Sequence, residues 1–212
     1  MGYGDRVQLE NWQLIDYLVG QKRQLELLSQ VLTEGERAER LVICHHPPVV
    51  TLGRASQQED LAGWSGDIYQ VSRGGRATYH GPSQVVAYPI LDLRIRGNDI
   101  YRYLRQLEGA VVDTLAYFQV EAYGDEKSTG VWVNNRKIAS IGIAVKKWIT
   151  YHGVAISIYQ DEMAFGGIRP CGMDPNVMLS LEELLDYRVE RSHFEQQLVK
   201  NLFTRLAPSV LE

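Results

Sequence analysis

Arg73-Gly74-Gly75-Arg76-Ala77-Thr78-Tyr79-His80-Gly81-Pro82 leads almost directly into Val85-Val86-Ala87-Tyr88-Pro89-Ile90-Leu91-Asp92-Leu93. The first stretch packs three glycines, a proline, two arginines and a Tyr-His pair into ten residues, and the second is apolar and strand-like. Glycine permits positive φ and a close approach of backbone to ligand. Polar, Gly-rich loops held on rigid strands are where binding residues collect. A simple Gly-Pro turn between strands is the commoner use of such glycines, but it has no need of interleaved Arg, Thr, Tyr and His. The stretch reads as a binding loop mounted on a strand.

Strand-like runs recur near 41–45, 48–52, 68–72, 84–93, 130–134, 137–147 and 151–159. Val131-Trp132-Val133 and Ile143-Ala144-Val145 flank the polar link Asn134-Asn135-Arg136 and the segment that follows it, which predicts a β-hairpin. Helical periodicity covers about 12–32, with Ile15, Leu18, Leu25, Leu28 and Leu32 in register. It returns over about 99–118, on Tyr101, Leu104, Leu107, Val111, Leu115 and Phe118. Ser180-Leu181-Glu182-Glu183 and Ser192-His193-Phe194-Glu195 both fit capping boxes, and a last helix carries Phe194, Leu198, Leu202 and Leu206. Hairpin-joined strands with helices between them predict an α+β fold. At 212 residues the chain suits one domain over 1–212.

Two cysteines are present. Cys44 lies in the apolar run Leu41-Val42-Ile43-Cys44, where a free cysteine behaves as a small buried hydrophobe. Cys171 lies in Gly166-Gly167-Ile168-Arg169-Pro170-Cys171-Gly172-Met173, a stretch without periodic pattern, with Arg169 two residues away. The thiolate is the nucleophilic form of cysteine and nearby positive charge favours it, so Cys171 is the candidate nucleophile. Lys137 opens the second strand of the hairpin; an exposed edge-strand lysine is the ordinary meaning of such a residue, and the alternation by itself leaves its direction open.

The composition, 45% hydrophobic and 23% charged, is that of a soluble globular protein. No apolar run reaches the roughly 20 residues needed to span a bilayer. Met1-Gly2-Tyr3-Gly4-Asp5-Arg6 is followed by no apolar signal core, and two cysteines in dissimilar settings suit a reducing compartment, so a cytoplasmic location is expected. A net charge of −4 argues against nucleic-acid binding. A metal site from Cys44, His45 and His46 with His80 is disfavoured, because adjacent strand residues face opposite ways.

Arg73-Gly74-Gly75-x-x-Thr78-Tyr79-His80-Gly81-Pro82, Lys137-Ile138-Ala139-Ser140-Ile141-Gly142 and Pro170-Cys171-Gly172 resemble the signature blocks of the lipoyl(octanoyl) transferases. His46-Pro47-Pro48-Val49-Val50-Thr51-Leu52-Gly53-Arg54 and His152-Gly153-Val154-Ala155 add to the resemblance, and all blocks occur in that family's order. Ser83 departs from the family's usual glycine, and Val177-Met178-Leu179-Ser180-Leu181 lacks its Thr-Ser pairing.

The resemblance implies a biotin/lipoate protein ligase-like domain, a mixed and antiparallel sheet with flanking helices, acting as a monomer. It implies transfer of an octanoyl group from acyl carrier protein to a lysine on lipoyl domains of 2-oxoacid dehydrogenase complexes or on the glycine cleavage H protein. Cys171 would form an acyl-thioester beside Lys137, the two side chains lying within roughly 4–6 Å. Neither ATP nor another cofactor is required, since thioester exchange is nearly isoenergetic and amide formation runs downhill. Acyl-binding positions carried over are Arg73, Gly74, Gly75, Arg76, Ala77, Thr78, Tyr79 and His80, then Ser140, Ile141 and Gly142, then Gly153, Val154 and Ala155. Amides of Gly74-Gly75 and of Ser140 to Gly142 are candidates to surround the acyl carbonyl, and His80 is a second candidate for proton handling. Acidic partners would need a basic patch, for which Arg94, Arg96, Arg102, Arg105, Lys146 and Lys147 are candidates. An amidotransferase or ATP-dependent lipoate ligase of the same fold, and a non-catalytic acyl-carrier-binding module, are the alternatives. A ligase works through an acyl-adenylate and needs no thiol nucleophile.

Overall fold

The computed structural model describes residues 7–208, so the Met1 to Arg6 stretch considered above lies outside the described residues. These residues form a seven-stranded sheet in the order β1 (Gln8–Leu14), β2 (Arg40–His45), β6 (Gln84–Ile90), β10 (Ile149–Ser157), β9 (Arg136–Lys146), β8 (Gly130–Val133) and β7 (Tyr123–Gly124). A smaller sheet has the order β4 (Asp67–Gln70), β3 (Val49–Leu52), β5 (Ala77–His80). The large sheet is antiparallel except where β1 runs parallel to β2. In the small sheet β3 is parallel to β4 and antiparallel to β5.

The two-residue period of the strands divides the large sheet between two layers. Leu41 and Ile43 of β2, Val85 and Ala87 of β6, and Val154 and Ile156 of β10 face one core, closed by α2 (Ile100–Tyr117) and α4 (Arg191–Arg205). Val42 and Cys44, Val86 and Tyr88, and Ala155 face the other, closed by α1 (Tyr17–Glu34). The helices start at side-chain caps that satisfy otherwise orphaned donors. Asp16 accepts from the Val19 N–H (3.0 Å), Asp99 from that of Arg102 (2.9 Å), and Ser180, before the short α3 (Leu181–Leu185), from that of Glu183 (3.3 Å).

The α+β expectation holds, with local corrections. The first helix begins at Tyr17, because Gln8–Leu14 pairs with β2 as an edge strand. Its buried face is Tyr17, Gly20, Gln24, Leu27, Leu28 and Val31, whereas Leu18 and Leu25 are exposed. Polar Gln24 holds the inward position because its side-chain carbonyl accepts from the His152 N–H (2.8 Å). The glycine-rich stretch is not loop throughout, since Ala77–His80 is strand β5. The strand expected over 84–93 ends at Ile90, and Asp92 caps a 3-10 turn over Leu93–Arg96. Ser192 lies inside α4, whose N-cap is Glu190, and so closes no capping box.

The expected basic patch also dissolves in part. Arg94 pairs with Asp92 (2.6 Å) and Arg105 with Glu108 (2.6 Å). Arg96 is buried, with Nη1 and Nη2 on the Glu39 carboxylate (2.7 and 2.8 Å) and Nε donating to the Leu206 carbonyl (2.9 Å). Arg102, Lys146 and Lys147 are exposed. Removing one member of a buried pair strands the other charge. Arg96→Met is therefore expected to lower unfolding free energy by about 3–5 kcal/mol, read as a lower urea midpoint at unchanged slope.

Candidate active site

Asn134 and Asn135 both have positive φ (48° and 64°). Val133 pairs with Arg136, so the link between β8 and β9 is this two-residue turn, whose twist matches that of the strands. Arg136 is already in the strand. Next in β9, Lys137 turns inward and is 2% exposed, which answers the question left open by the alternation. Its Nζ donates to the Thr129 carbonyl (2.9 Å), lies 3.8 Å from Cys171 Sγ, and sits 5.2 Å from the centre of the Trp132 ring. Gly130 makes this route possible: its φ is +143°, and a Cβ there would stand 2.4 Å from Lys137 Cε.

Cys171 occupies a 3-10 turn over Pro170–Gly172 with φ 54° and ψ 25°. A left-handed conformation at a non-glycine residue costs free energy and needs surroundings that enforce it. Here the Arg169 N–H donates to the Asp60 carbonyl (2.8 Å) and the Gly172 N–H to that of Arg169 (2.9 Å). Arg76 lies over Gly172 so closely that a Cβ would fall 2.2 Å from Nη1. The same guanidinium pairs with buried Asp60 (2.5 Å). Burial opposes the Asp60 carboxylate, but Arg76 and the Gln57 and Ala77 N–H groups outweigh it and hold its pKa below the ordinary value. Arg169, expected to supply charge, is exposed.

A narrow cleft opens at Cys171, with about 460 Å³ of atom-free space once the open solvent at its mouth is included. Val86, Ile141, Val154 and Ala155 line it with Gly142 and Gly153, paired across β9 and β10; a Cβ on Gly153 would stand 2.1 Å from the Ala87 carbonyl oxygen and one on Gly142 2.9 Å from Arg73 Cδ. Ser140, Gly75 and Arg73 complete the expected lining. On β5, Thr78 and His80 face the cleft while Ala77 and Tyr79 point the other way, as a two-residue period requires. Tyr79 instead donates its hydroxyl to Asp161 (2.9 Å) and packs with Val50 and Phe165. Ser83 also donates to Asp161 (2.9 Å). Around the family's missing Thr-Ser pair, the Leu179 N–H donates to the Lys137 carbonyl (3.0 Å).

Arg73 is buried and spends its guanidinium on backbone: Nη1 on the Gly74 and Arg76 carbonyls (both 2.9 Å), Nη2 on the Thr51 carbonyl (2.7 Å) and hydroxyl (2.8 Å). It fixes the loop to the small sheet. The Gly74 N–H donates to the Ile143 carbonyl (2.9 Å) and is not free for an oxyanion, which corrects the expectation for that one amide. Gly74, Arg76, Ala77, Tyr79 and Lys137 support the cleft from behind or beside it, outside its lining.

Four cleft residues escaped the sequence reading: Tyr17, Val86, Tyr88 and His152. Val86 and Tyr88 share one face of an evident strand and His152 opens a quoted block, so alternation could have found them. Tyr17 carries no local signal. It stacks on His80 (centroids 5.8 Å, 14°), which approaches Gln84 (3.3 Å). His46 approaches the Ile15 carbonyl through Nδ1 (2.8 Å) and the Tyr88 hydroxyl through Nε2 (2.7 Å), and Cys44 Sγ lies 3.7 Å from that Nε2. Cys44 is fully buried, and burial pushes its thiol pKa up.

Burial leaves these rings neutral. It lowers the His46 pKa to about 4 and, with Arg73, the His152 pKa to about 3; His80 is lowered too, by burial, His46 and Arg73. The unfolded chain takes up protons near the ordinary histidine value while the folded chain does not, so stability must fall as pH drops from about 6.5 toward 4. His46 and His152 each contribute on the order of a few kcal/mol across that window. His46→Gln is expected to flatten the dependence of the urea midpoint on pH between these limits.

Residues 9–203 match the family described as the lipoyl protein ligase A/B catalytic domain. An octanoyltransferase of Bdellovibrio bacteriovorus is 44% identical over 210 residues, covering 91% of this chain and 95% of that protein. One of Caldicellulosiruptor saccharolyticus is 42% identical over 174 residues, covering 78% and 74%. Among solved structures, a lipoate-protein ligase A bound with ATP is similar at TM-score 0.70 and 16% identity, over 95% of this chain and 85% of that one. A biotin protein ligase from Aquifex aeolicus in complex with biotin and ATP is similar at TM-score 0.58 and 13% identity, over 94% and 70%. These structures share the mixed sheet with flanking helices. The chain belongs to the lipoyl protein ligase A/B catalytic-domain family, and the relatives it matches in sequence are octanoyltransferases.

Proposed function

We propose that this protein moves an octanoyl group from the thioester of acyl carrier protein to a lysine of a lipoyl domain, through an acyl-thioester on Cys171. The contact of 3.8 Å between Lys137 Nζ and Cys171 Sγ, at an apolar cleft, carries this reading. The octanoyltransferase relatives support the acyl group and the acceptor class. The acceptors would be the lipoyl domains of 2-oxoacid dehydrogenase complexes and the glycine cleavage H protein, met in the cytoplasm by a monomeric enzyme. Among the described residues no helix is long and apolar enough to cross a membrane.

The residues divide the work as follows. The Lys137 ammonium, 3.8 Å from Cys171 Sγ, is placed to hold negative charge on that sulfur as bonds change. Cys171 Sγ attacks the carrier thioester; the bond from carbonyl to carrier sulfur breaks, and the departing thiolate takes a proton from Lys137. The octanoyl chain lies along Val86 and Ala155 and past the β9–β10 backbone at Ile141, Gly142, Gly153 and Val154. The acceptor amine then attacks the acyl-enzyme, neutral Lys137 accepts its proton, and Cys171 leaves as thiolate. Splitting the transfer lets two large partners dock in turn.

An ATP-dependent ligase of the same fold is the competing reading, and the solved neighbours include ligases. Incubation with octanoyl-acyl carrier protein without ATP is expected to add one octanoyl group to the intact mass. The adduct is expected to be absent from Cys171→Ala, to form about 100-fold more slowly in Lys137→Met, and to discharge onto a lipoyl domain. Acceptor modification that appears only with ATP and free octanoate would overturn the transferase reading.

A further inference from the structure

Glu108 is a buried carboxylate on α2, 2% exposed, to which the mechanism above assigns no work. Its Oε1 accepts from the Gly130 N–H (2.9 Å), and its Oε2 pairs with Arg105 (2.6 Å). The Thr129 carbonyl that holds Lys137 Nζ at 2.9 Å belongs to the same peptide group as that N–H. In a trans peptide the C=O and N–H point in opposite directions, and the described residues contain no cis peptide. Glu108 therefore grips one end of a peptide plane whose other end grips Lys137.

We infer that Glu108 is a positioning residue for the Lys137–Cys171 pair, acting through the Thr129–Gly130 peptide. The inference rests on the reading of that pair as nucleophile and proton carrier. The sequence of contacts is carboxylate, peptide N–H, peptide carbonyl, ammonium and sulfur. Hydrogen bonds in such a chain polarise one another, more so in a buried setting. The carboxylate makes the Thr129 oxygen a stronger acceptor, which fixes one Nζ–H and leaves the others for sulfur and substrate.

Two further observations support this arrangement. A Cβ on Gly124 would lie 2.6 Å from Glu108 Oε2, and one on Gly130 would lie 2.4 Å from Lys137 Cε, so glycines box in both ends of the relay. Burial and the charge of Asp125 raise the Glu108 pKa, while the Gly130 N–H, Arg105 and Lys137 pull it back. A buried ion of this kind is costly and adds little stability for that cost. Its return lies in holding the peptide and the lysine in one place.

The test is the rate of Cys171 alkylation by iodoacetamide at fixed pH and ionic strength, read on the intact protein by mass; Cys44, fully buried, does not compete. Lys137→Met is expected to slow alkylation. Glu108→Gln, equal in shape but without charge, is expected to slow it about 3- to 10-fold, with far-UV circular dichroism unchanged. In the Lys137→Met background, Glu108→Gln is expected to have no further effect, because its influence passes through the lysine. Wild-type alkylation in Glu108→Gln, or the same fold-loss in both backgrounds, would overturn the positioning role while leaving the pair intact. Wild-type alkylation in Lys137→Met would instead remove the pair itself, and the inference with it. Should Glu108→Gln fail to fold, Gly124→Ala presses on the carboxylate without removing its charge. It is expected to give the same lysine-dependent slowing to a smaller extent, and slowing that ignores the lysine would overturn the role.

Discussion

A lysine ammonium enclosed by protein needs partners, because an unpaired buried ion costs several kcal/mol and the group otherwise gives up its charge. Much of the architecture around Lys137 answers that need. The Thr129 carbonyl takes one N–H at 2.9 Å, the Trp132 ring faces the charge at 5.2 Å, and Cys171 Sγ stands at 3.8 Å. Gly130 is bound to be glycine by both its φ of +143° and the lysine stem beside it. The tight Asn134-Asn135 turn sets the register that points Lys137 inward.

The cysteine is held from the other side by a separate set of forces. Its left-handed backbone is kept by hydrogen bonds from Arg169 and Gly172 and by the Arg76 guanidinium, which buried Asp60 holds in place. Arg73 performs a comparable task for the loop, tying three backbone carbonyls together. The arginines of the glycine-rich stretch are thus braces more than ligands. Beyond them the cleft is lined by Val86, Ile141, Val154 and Ala155 and by the rings of Tyr17, His80, Tyr88 and His152.

The same sheet and helices occur in ligases that bind ATP and biotin. A shared fold does not carry a shared reaction, which depends on the groups placed in the site. In this chain a thiol and an ammonium meet on elements that the fold brings together, the turn before α3 and the hairpin of β8 and β9. That meeting, more than the scaffold, underlies the proposed transferase chemistry.

Strands, helices and the α+β class were legible because a period of two or 3.6 and the chemistry of caps and turns are local properties of the chain. Edge strand β1 was not, since its burial alternates weakly and its pairing with β2 joins residues 31 or 32 positions apart, as in Gln8 with Arg40 and Leu14 with His45. The helical face of α1 was misplaced because Gln24 is polar yet inward, a choice made by His152 on a distant strand. Thr78 and His80 were separable from Ala77 and Tyr79 only once β5 was known to be a strand. By itself the sequence determined which residues could do chemistry, a cysteine in an unpatterned turn and a lysine opening a hairpin strand. Tertiary structure alone decided that they meet: they are 34 positions apart, and the 3.8 Å between them depends on sheet register, a glycine's open φ and a buried carboxylate on another element.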